Sequence, residues 1–274
     1  MIRTAWPADL PSLRELFAGA NDAPYDLARV AEEKCFGHGL AGAPTARIFE
    51  IDGQVAGAAV TCGRYLRILI VAREHRRKGV GSALLADAES AGAKVIFSEP
   101  GNYFTPGVVT TDPVTARYFH SRGYIETRWT HNLEVGLDAI PEVTGAIRGS
   151  HREADRLLEY VEREFGRIWR FEAQKAFHLS RPAFFYAEEN GEIAGFVVHD
   201  VNNRGLGFFG PTGVSLSMRG RGFGRTLLLA SLRDLREMGY SRAVIPWTDA
   251  MEFYEKCCGA EPAHRFIAFA KQQP

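Results

Sequence analysis

Two short stretches of this sequence set glycine among clustered basic residues just ahead of a helical pattern: Arg76-Arg77-Lys78-Gly79-Val80-Gly81 and Arg219-Gly220-Arg221-Gly222-Phe223-Gly224. A helix that opens on such a turn leaves its first N–H groups unpaired, and those groups with the helix dipole make an anion site. Glycine at these positions removes the Cβ atoms that would hold a phosphate away. Arg76, Arg77 and Lys78 in one copy, and Arg219, Arg221 and Arg225 in the other, add positive charge. A diphosphate-bearing ligand is the natural guest. The competing reading is a turn that only caps its helix, and two copies in matching context weigh against it. Leu84 and Leu227 stand where a dinucleotide fingerprint needs its third glycine, and neither copy contains the Gly-Lys-Ser/Thr of a P-loop.

The elements that must position these turns also occur twice. Strand-like runs at 46–51 and 54–61 flank Asp52-Gly53, and runs at 183–188 and 193–199 flank Asn190-Gly191, both strong hairpin signals. A further apolar run, 66–71 or 206–214, leads into each glycine turn. Amphipathic helices follow at 80–91 and 223–238, then short strands at 94–97 and 243–246, then helices at 113–122 and 250–257, each closed by a glycine. Helical stretches at 10–20 and 27–36, and again at 152–165 and 171–179, open the two halves. The fold class expected is α/β with a mixed sheet flanked by helices, written twice, with domains at 1–138 and 139–274. Asp112-Pro113 reads as a helix cap followed by a first-turn proline.

The bulk composition sets limits on partners. The 274 residues carry 33 basic and 33 acidic side chains, a net charge of +0, so no global field favours nucleic acid or an anionic membrane. No apolar run reaches membrane-spanning length, and the first residues do not read as a signal peptide. Cys35, Cys62, Cys257 and Cys258 show no metal-ligand spacing, so no metal is expected, and reduced thiols fit a cytoplasmic protein. The expected state is monomer or homodimer.

The two glycine stretches resemble the Arg/Gln-x-x-Gly-x-Gly/Ala signature of the GNAT acetyltransferase superfamily, once per half and over nearly the whole chain. The resemblance implies acetyl-CoA as co-substrate, with its pyrophosphate on the backbone amides of residues 76–82 or 219–225, Ser82 and Arg225 included. It also implies the pantetheine arm beside Ile70, Val71 and Ala72, or Gly213, Val214 and Ser215. Phe253-Tyr254-Glu255-Lys256-Cys257-Cys258-Gly259 resembles the family's Phe-Tyr-Glu-Lys-x-Gly segment with one residue more, which makes Tyr254 the acid for the leaving thiolate. A phenol near pKa 10 is protonated at neutral pH and suited to that task. The competing reading of Tyr254 is ordinary helix-face core. The first half has Phe119 at the corresponding place and is expected to be catalytically weaker.

For the acceptor, the expectation is a small-molecule amine. The second half is similar to the tandem glucosamine/glucosaminide N-acetyltransferases in Gly210-Pro211-Thr212-Gly213-Val214, in Pro246-Trp247 and in the Phe253 to Lys256 helix. That resemblance suggests an aminosugar, with Trp247 stacking on it and Asp249 holding its amine. Asp249 is also a candidate base, against a plain role as helix N-terminal charge. His199 and Asp200 are further base candidates by position, against a role as satisfied polar neighbours. The aromatic loop at 100–107 either walls a substrate cleft or seals an interface. A protein or peptide acceptor and a non-catalytic acetyl-CoA-binding module remain as other readings.

Overall fold

A computed structural model describes residues 1–272. The first half contains β1 (Ile2–Thr4), α1 (Leu10–Ala20), α2 (Ala31–Phe36), β2 (Thr45–Ile51), β3 (Gln54–Cys62), β4 (Tyr65–Val71), α3 (Val80–Ser90), β5 (Val95–Ile96), β6 (Val108–Val109), α4 (Pro113–His120) and β7 (Tyr124–Gly136). The second contains β8 (Ile147–Arg148), α5 (Ala154–Phe165), α6 (Arg167–Ala173), β9 (Phe184–Glu189), β10 (Glu192–His199), β11 (Phe209–Val214), α7 (Phe223–Glu237), β12 (Arg242–Thr248), α8 (Met251–Cys258) and β13 (Glu261–Lys271). The class is mixed α/β, and the element order repeats.

Chain contacts divide the protein into two compact units, Met1–Thr130 with His264–Pro274, and His131–Ala263. This division differs from a cut at 138/139, because the last strand of each half is shared. The far part of β7 pairs with β12, as in Leu133↔Ile245. The far part of β13 pairs with β5, as in Phe269↔Ile96, and with β6. Apolar patterning reveals that a strand exists and not which sheet receives it, so this exchange leaves no trace in the sequence pattern.

In the first unit β1 to β4 form an antiparallel sequence of neighbours, and β4 then pairs in parallel with β5. Leu84 and Leu85 of α3, Phe119 of α4 and Phe269 of β13 fill the core beside the sheet. In the second unit β8 to β11 make an antiparallel sheet, and α7 packs Leu228, Leu232 and Leu235 into a core with Leu133, Val197 and Ile245. The spacing of those leucines is that of one helix face. Both hairpin turns have two consecutive left-handed residues, Asp52 and Gly53 (φ 50° and 76°) and Asn190 and Gly191 (φ 53° and 81°). That backbone matches the twist of the strands it joins, which is why Asp-Gly and Asn-Gly marked these turns in the sequence. Asp112 caps α4, its side chain accepting the Thr115 N–H at 3.0 Å.

Candidate active site

In the first unit, β4 and β5 pair only at Tyr65↔Val95 and Leu66↔Ile96. Beyond that point the strands part, Phe97 turns left-handed (φ 62°), and a cleft of about 1080 Å³ opens. Residues 67–71 of β4 line one side and Phe97, Val108 and Phe266 the other. The cleft runs to the glycine turn, where Gly79, Gly81, Ser82, Arg76 and Arg77 border it. Gly79 is the N-cap of α3 at φ 87°, a conformation glycine adopts without strain. Ala83 is the first residue whose N–H enters the helix ladder at this end, bonding Gly79 O at 3.0 Å, so the preceding amides remain for an anion. The loop at 100–107 contributes Phe104 and Thr105 to the wall of this cleft.

The second unit repeats the construction. A lone parallel bridge, Phe208↔Val244, joins the strands before β11 and β12 part. Gly222 caps α7 at the same φ of 87°, and Thr226 N–H opens the ladder at Gly222 O. Gly220 (φ 79°) occupies the left-handed position that Arg77 (φ 62°) holds in the first unit. One signature arginine has the same place in both: Arg76 Nε donates to Val71 O at 3.1 Å and Arg219 Nε to Val214 O at 3.2 Å. These arginines brace the turn against the end of its strand. Arg76 also reaches Ala20 O at the end of α1 and Asp22 just beyond it, so part of its donor capacity is spent within the protein.

The remaining residues of the turns divide by exposure. Lys78, Arg221 and Arg225 are exposed, and Arg221 pairs with Glu189. The amides of Ala72 and Ser215 donate back to Ala56 O and Ala194 O, so they face the neighbouring hairpin strand rather than a ligand. The Ser215 hydroxyl is hydrogen-bonded to Tyr160 at 2.7 Å. Gly213 lies under the Phe165 ring, where a Cβ would come within 2.5 Å of it. Gly224 faces the ring of Phe253.

Tyr254 and Phe119 hold corresponding positions. Tyr254 is 8% exposed and contacts Phe209, the first residue of β11 past the bridge, while Phe119 is fully buried against Phe97 at the parting of β4 and β5. Burial pushes the Tyr254 phenol well above its usual range, which keeps its proton in place. Trp247 is half-buried at φ 50°, its backbone N–H donating to Asn132 Oδ1 at 2.9 Å across an irregularity in β12. Asp249 is exposed at the end of β12, ahead of the α8 N-cap Ala250.

The other base candidates are occupied structurally. His199 is fully buried, with Nε2 on Asp234 Oδ2 at 2.9 Å and Nδ1 on Ser231 Oγ at 3.1 Å. Asp200 accepts from the Gly205 N–H and Tyr240 hydroxyl, and burial raises its pKa. Among the described residues, no cluster of three His, Cys, Asp or Glu side chains could hold a metal, and no helix is long and apolar enough to cross a membrane.

Two side chains the sequence reading passed over stand at the first turn. Tyr118 and Arg122 project from α4 and the turn after it to the α3 N-terminus, and both line the cleft. Their spacing of four residues puts them on one helical face, which is the only signal the sequence offered.

This architecture agrees with comparisons to known proteins. The sequence profile of the acetyltransferase (GNAT) family matches residues 151–260, and that of an acetyltransferase (GNAT) domain matches residues 27–141. The chain is therefore a tandem of two domains of the GNAT acetyltransferase family. A search of curated protein sequences gave no match. Among solved structures, it resembles a GCN5-related glucosamine N-acetyltransferase region of a fungal multi-domain GH3 β-N-acetylglucosaminidase, with TM-score 0.80 and 18% identity over 98% of this chain. The match spans 38% of that fungal chain. A GCN5-related N-acetyltransferase from Sphaerobacter thermophilus aligns with TM-score 0.71 and 20% identity, covering 99% of this chain and 95% of that one. A tandem GNAT protein of the clavulanic acid biosynthesis pathway aligns with TM-score 0.68 and 18% identity, covering 100% and 99%. At these identities the likeness is one of fold.

Proposed function

We propose that this protein transfers the acetyl group of acetyl-CoA to the primary amine of a small molecule, with an aminosugar such as glucosamine as the leading acceptor, and that the second unit carries the chemistry. The observation that supports this most is the shared location of Tyr254 and Phe119. Each unit has parted parallel strands leading to a glycine turn, but only the second offers an ionisable proton where its strands part. In this reading the pantetheine arm lies between β11 and β12 and the pyrophosphate rests on the amides at the start of α7.

The amine nitrogen attacks the thioester carbonyl, and the C–S bond breaks as the amide forms. The thiolate takes the Tyr254 proton, the phenolate regains one from solvent, and the ammonium proton released on attack passes to Asp249 or water. Burial keeps the Tyr254 proton in place and makes the phenol a weaker acid than a thiol near pKa 8.5, so its part is to hydrogen-bond the developing thiolate before the proton moves. Half-buried Trp247, near the end of β12, and exposed Asp249, just past it, are the residues assigned to hold the acceptor.

The test is release of free CoA thiol from acetyl-CoA across a panel of amines that includes glucosamine, other aminosugars, polyamines and lysine-containing peptides. Turnover with small amines and not with peptides is expected. Turnover confined to peptides would replace the acceptor class, and none with any amine beside measurable CoA binding would leave a binding module.

A further inference from the structure

In the second unit, two residues of β12 stand opposite one of β7. Ile245 pairs with Leu133 and Thr248 with His131, so Pro246 and Trp247 share Asn132 as their counterpart. An extra residue of this kind is a β-bulge, which bends the strand that carries it and re-aims a side chain. Leu133 and His131 lie on one face of β7, so their partners Ile245 and Thr248 lie on one face of β12 although three residues separate them. Ile245 is in the core with the α7 leucines and Thr248 is buried, while Trp247 is put out of step and left half-buried.

Side chains hold the chain where the ladder fails. Pro246 has no N–H to give. The Trp247 backbone N–H donates to Asn132 Oδ1 at 2.9 Å, and the Ala250 N–H, beyond the strand, donates to Thr248 Oγ1 at 3.0 Å. Asn132 is fully buried. Trp247 at φ 50° is a bulky residue in the left-handed region, a conformation that persists only where its surroundings impose it and that gathers at functional sites. The bulge begins two residues past Val244, whose bridge to Phe208 precedes the parting of β11 and β12. In the first unit the left-handed residue at the parting is Phe97, and its N–H donates to a backbone oxygen, Leu66 O, at 2.8 Å. The second unit uses a side chain for the corresponding task.

We propose that Asn132 is a positioning residue for the acceptor site of the second unit: its buried amide oxygen fixes the bulge, and the bulge sets Trp247, with Asp249 two residues on, where the parted strands admit an amine. This rests on the assignment of Trp247 and Asp249 to the acceptor and adds the residue that holds them in place. Asn132 acts through Trp247 and takes no part in the bond changes.

Steady-state thiol release by the intact chain, with glucosamine or whichever amine of the panel above turns over fastest, tests this. The proteins compared are wild type, Asn132→Ala, Asn132→Asp, Trp247→Ala and the double variant of Asn132→Ala with Trp247→Ala. Losing the acceptor for a buried N–H predicts about a tenfold rise in the KM for the amine in Asn132→Ala, with the KM for acetyl-CoA unchanged. Asn132→Asp keeps an acceptor oxygen at the same reach and should restore most of the amine KM. Side chains that act as one unit do not add, so Asn132→Ala should raise the amine KM little further once Trp247 is replaced. Thermal melting shows which variants fold, and Asn132→Thr, whose hydroxyl ends one bond short of the Trp247 amide, takes the place of Asn132→Ala if that variant does not. An unchanged amine KM in the folded Asn132 variant, an equal rise in both KM values, or additive effects in the double variant each overturn the proposal and leave the acceptor reading standing. An amine KM unmoved by Trp247→Ala, or a wild type that turns over no amine, removes the acceptor reading and this proposal with it.

Discussion

Tyr254 meets Phe209 edge to face, with ring centroids 5.9 Å apart and planes at 79°. Phe209 follows directly on the residue that bridges to Val244, so this contact pins the phenol where β11 and β12 separate. Replacing the hydroxyl by hydrogen keeps the ring contact. Tyr254→Phe should therefore retain the fold, within about 1 kcal/mol, and lose about a hundredfold or more in kcat, the usual contribution of a positioned acid. Thiol release under saturating acetyl-CoA measures the loss. Undiminished turnover would dismiss Tyr254 as the acid.

The caps of α3 and α7 offer a comparison between the units. Gly79 and Gly222 share φ 87°, and neither would bring a Cβ within 4 Å of another atom, so strain and not crowding is the penalty for a side chain. A left-handed residue other than glycine costs about 1–2 kcal/mol, less for asparagine. Gly222→Ala should lower acetyl-CoA affinity as the turn relaxes, and Gly222→Asn should lower it less, with both read from the KM for acetyl-CoA. Equal effects of Ala and Asn would argue that the ligand feels bulk rather than backbone.

What the sequence disclosed follows from the range of its signals. Hairpins, glycine turns and helix faces are local, and Asp52-Gly53, Gly222 and the α7 leucines announced them through residue type and period. The exchange of β7 and β13 and the packing of Phe165 over Gly213 depend on partners far away in the chain, which no local pattern encodes. The site divided along the same line. The turns were visible as motifs, but the seclusion of His199 depends on Ser231 and Asp234, which carry no motif, and Arg122 reaches Ser82 across forty positions.

Arg67 and Glu99 form a buried pair in the first unit, with Nε and Nη2 on the two carboxylate oxygens at 2.6 and 2.9 Å. Arg67 Nη1 also donates to Lys34 O and Gly37 O, tying the α2 region to β4. Removing one partner of such a pair strands the other's charge and costs about 3–5 kcal/mol. Arg67→Ala should shift urea unfolding to lower concentration by that amount, and adding Glu99→Gln should recover part of the loss. Additive losses in the double variant would mean that the two side chains act independently.

Asp234 predicts how stability responds to acid. Burial pushes its pKa up, but hydrogen bonds from His199 and Arg148, with the charges of both, outweigh that and hold it far below the usual carboxylate range. Arg181 lies on the same carboxylate at 3.0 Å. Because the folded pKa is depressed, the unfolded chain binds the proton first as pH falls. The stabilisation from Asp234 is thus complete above its unfolded value, about pH 4, and is lost as pH falls toward the folded value. Denaturation of wild type and Asp234→Asn should show a stability difference that is constant near neutrality and shrinks below about pH 4. Two curves that stay parallel through that range would mean that the carboxylate's charge contributes nothing to holding α7 against β10.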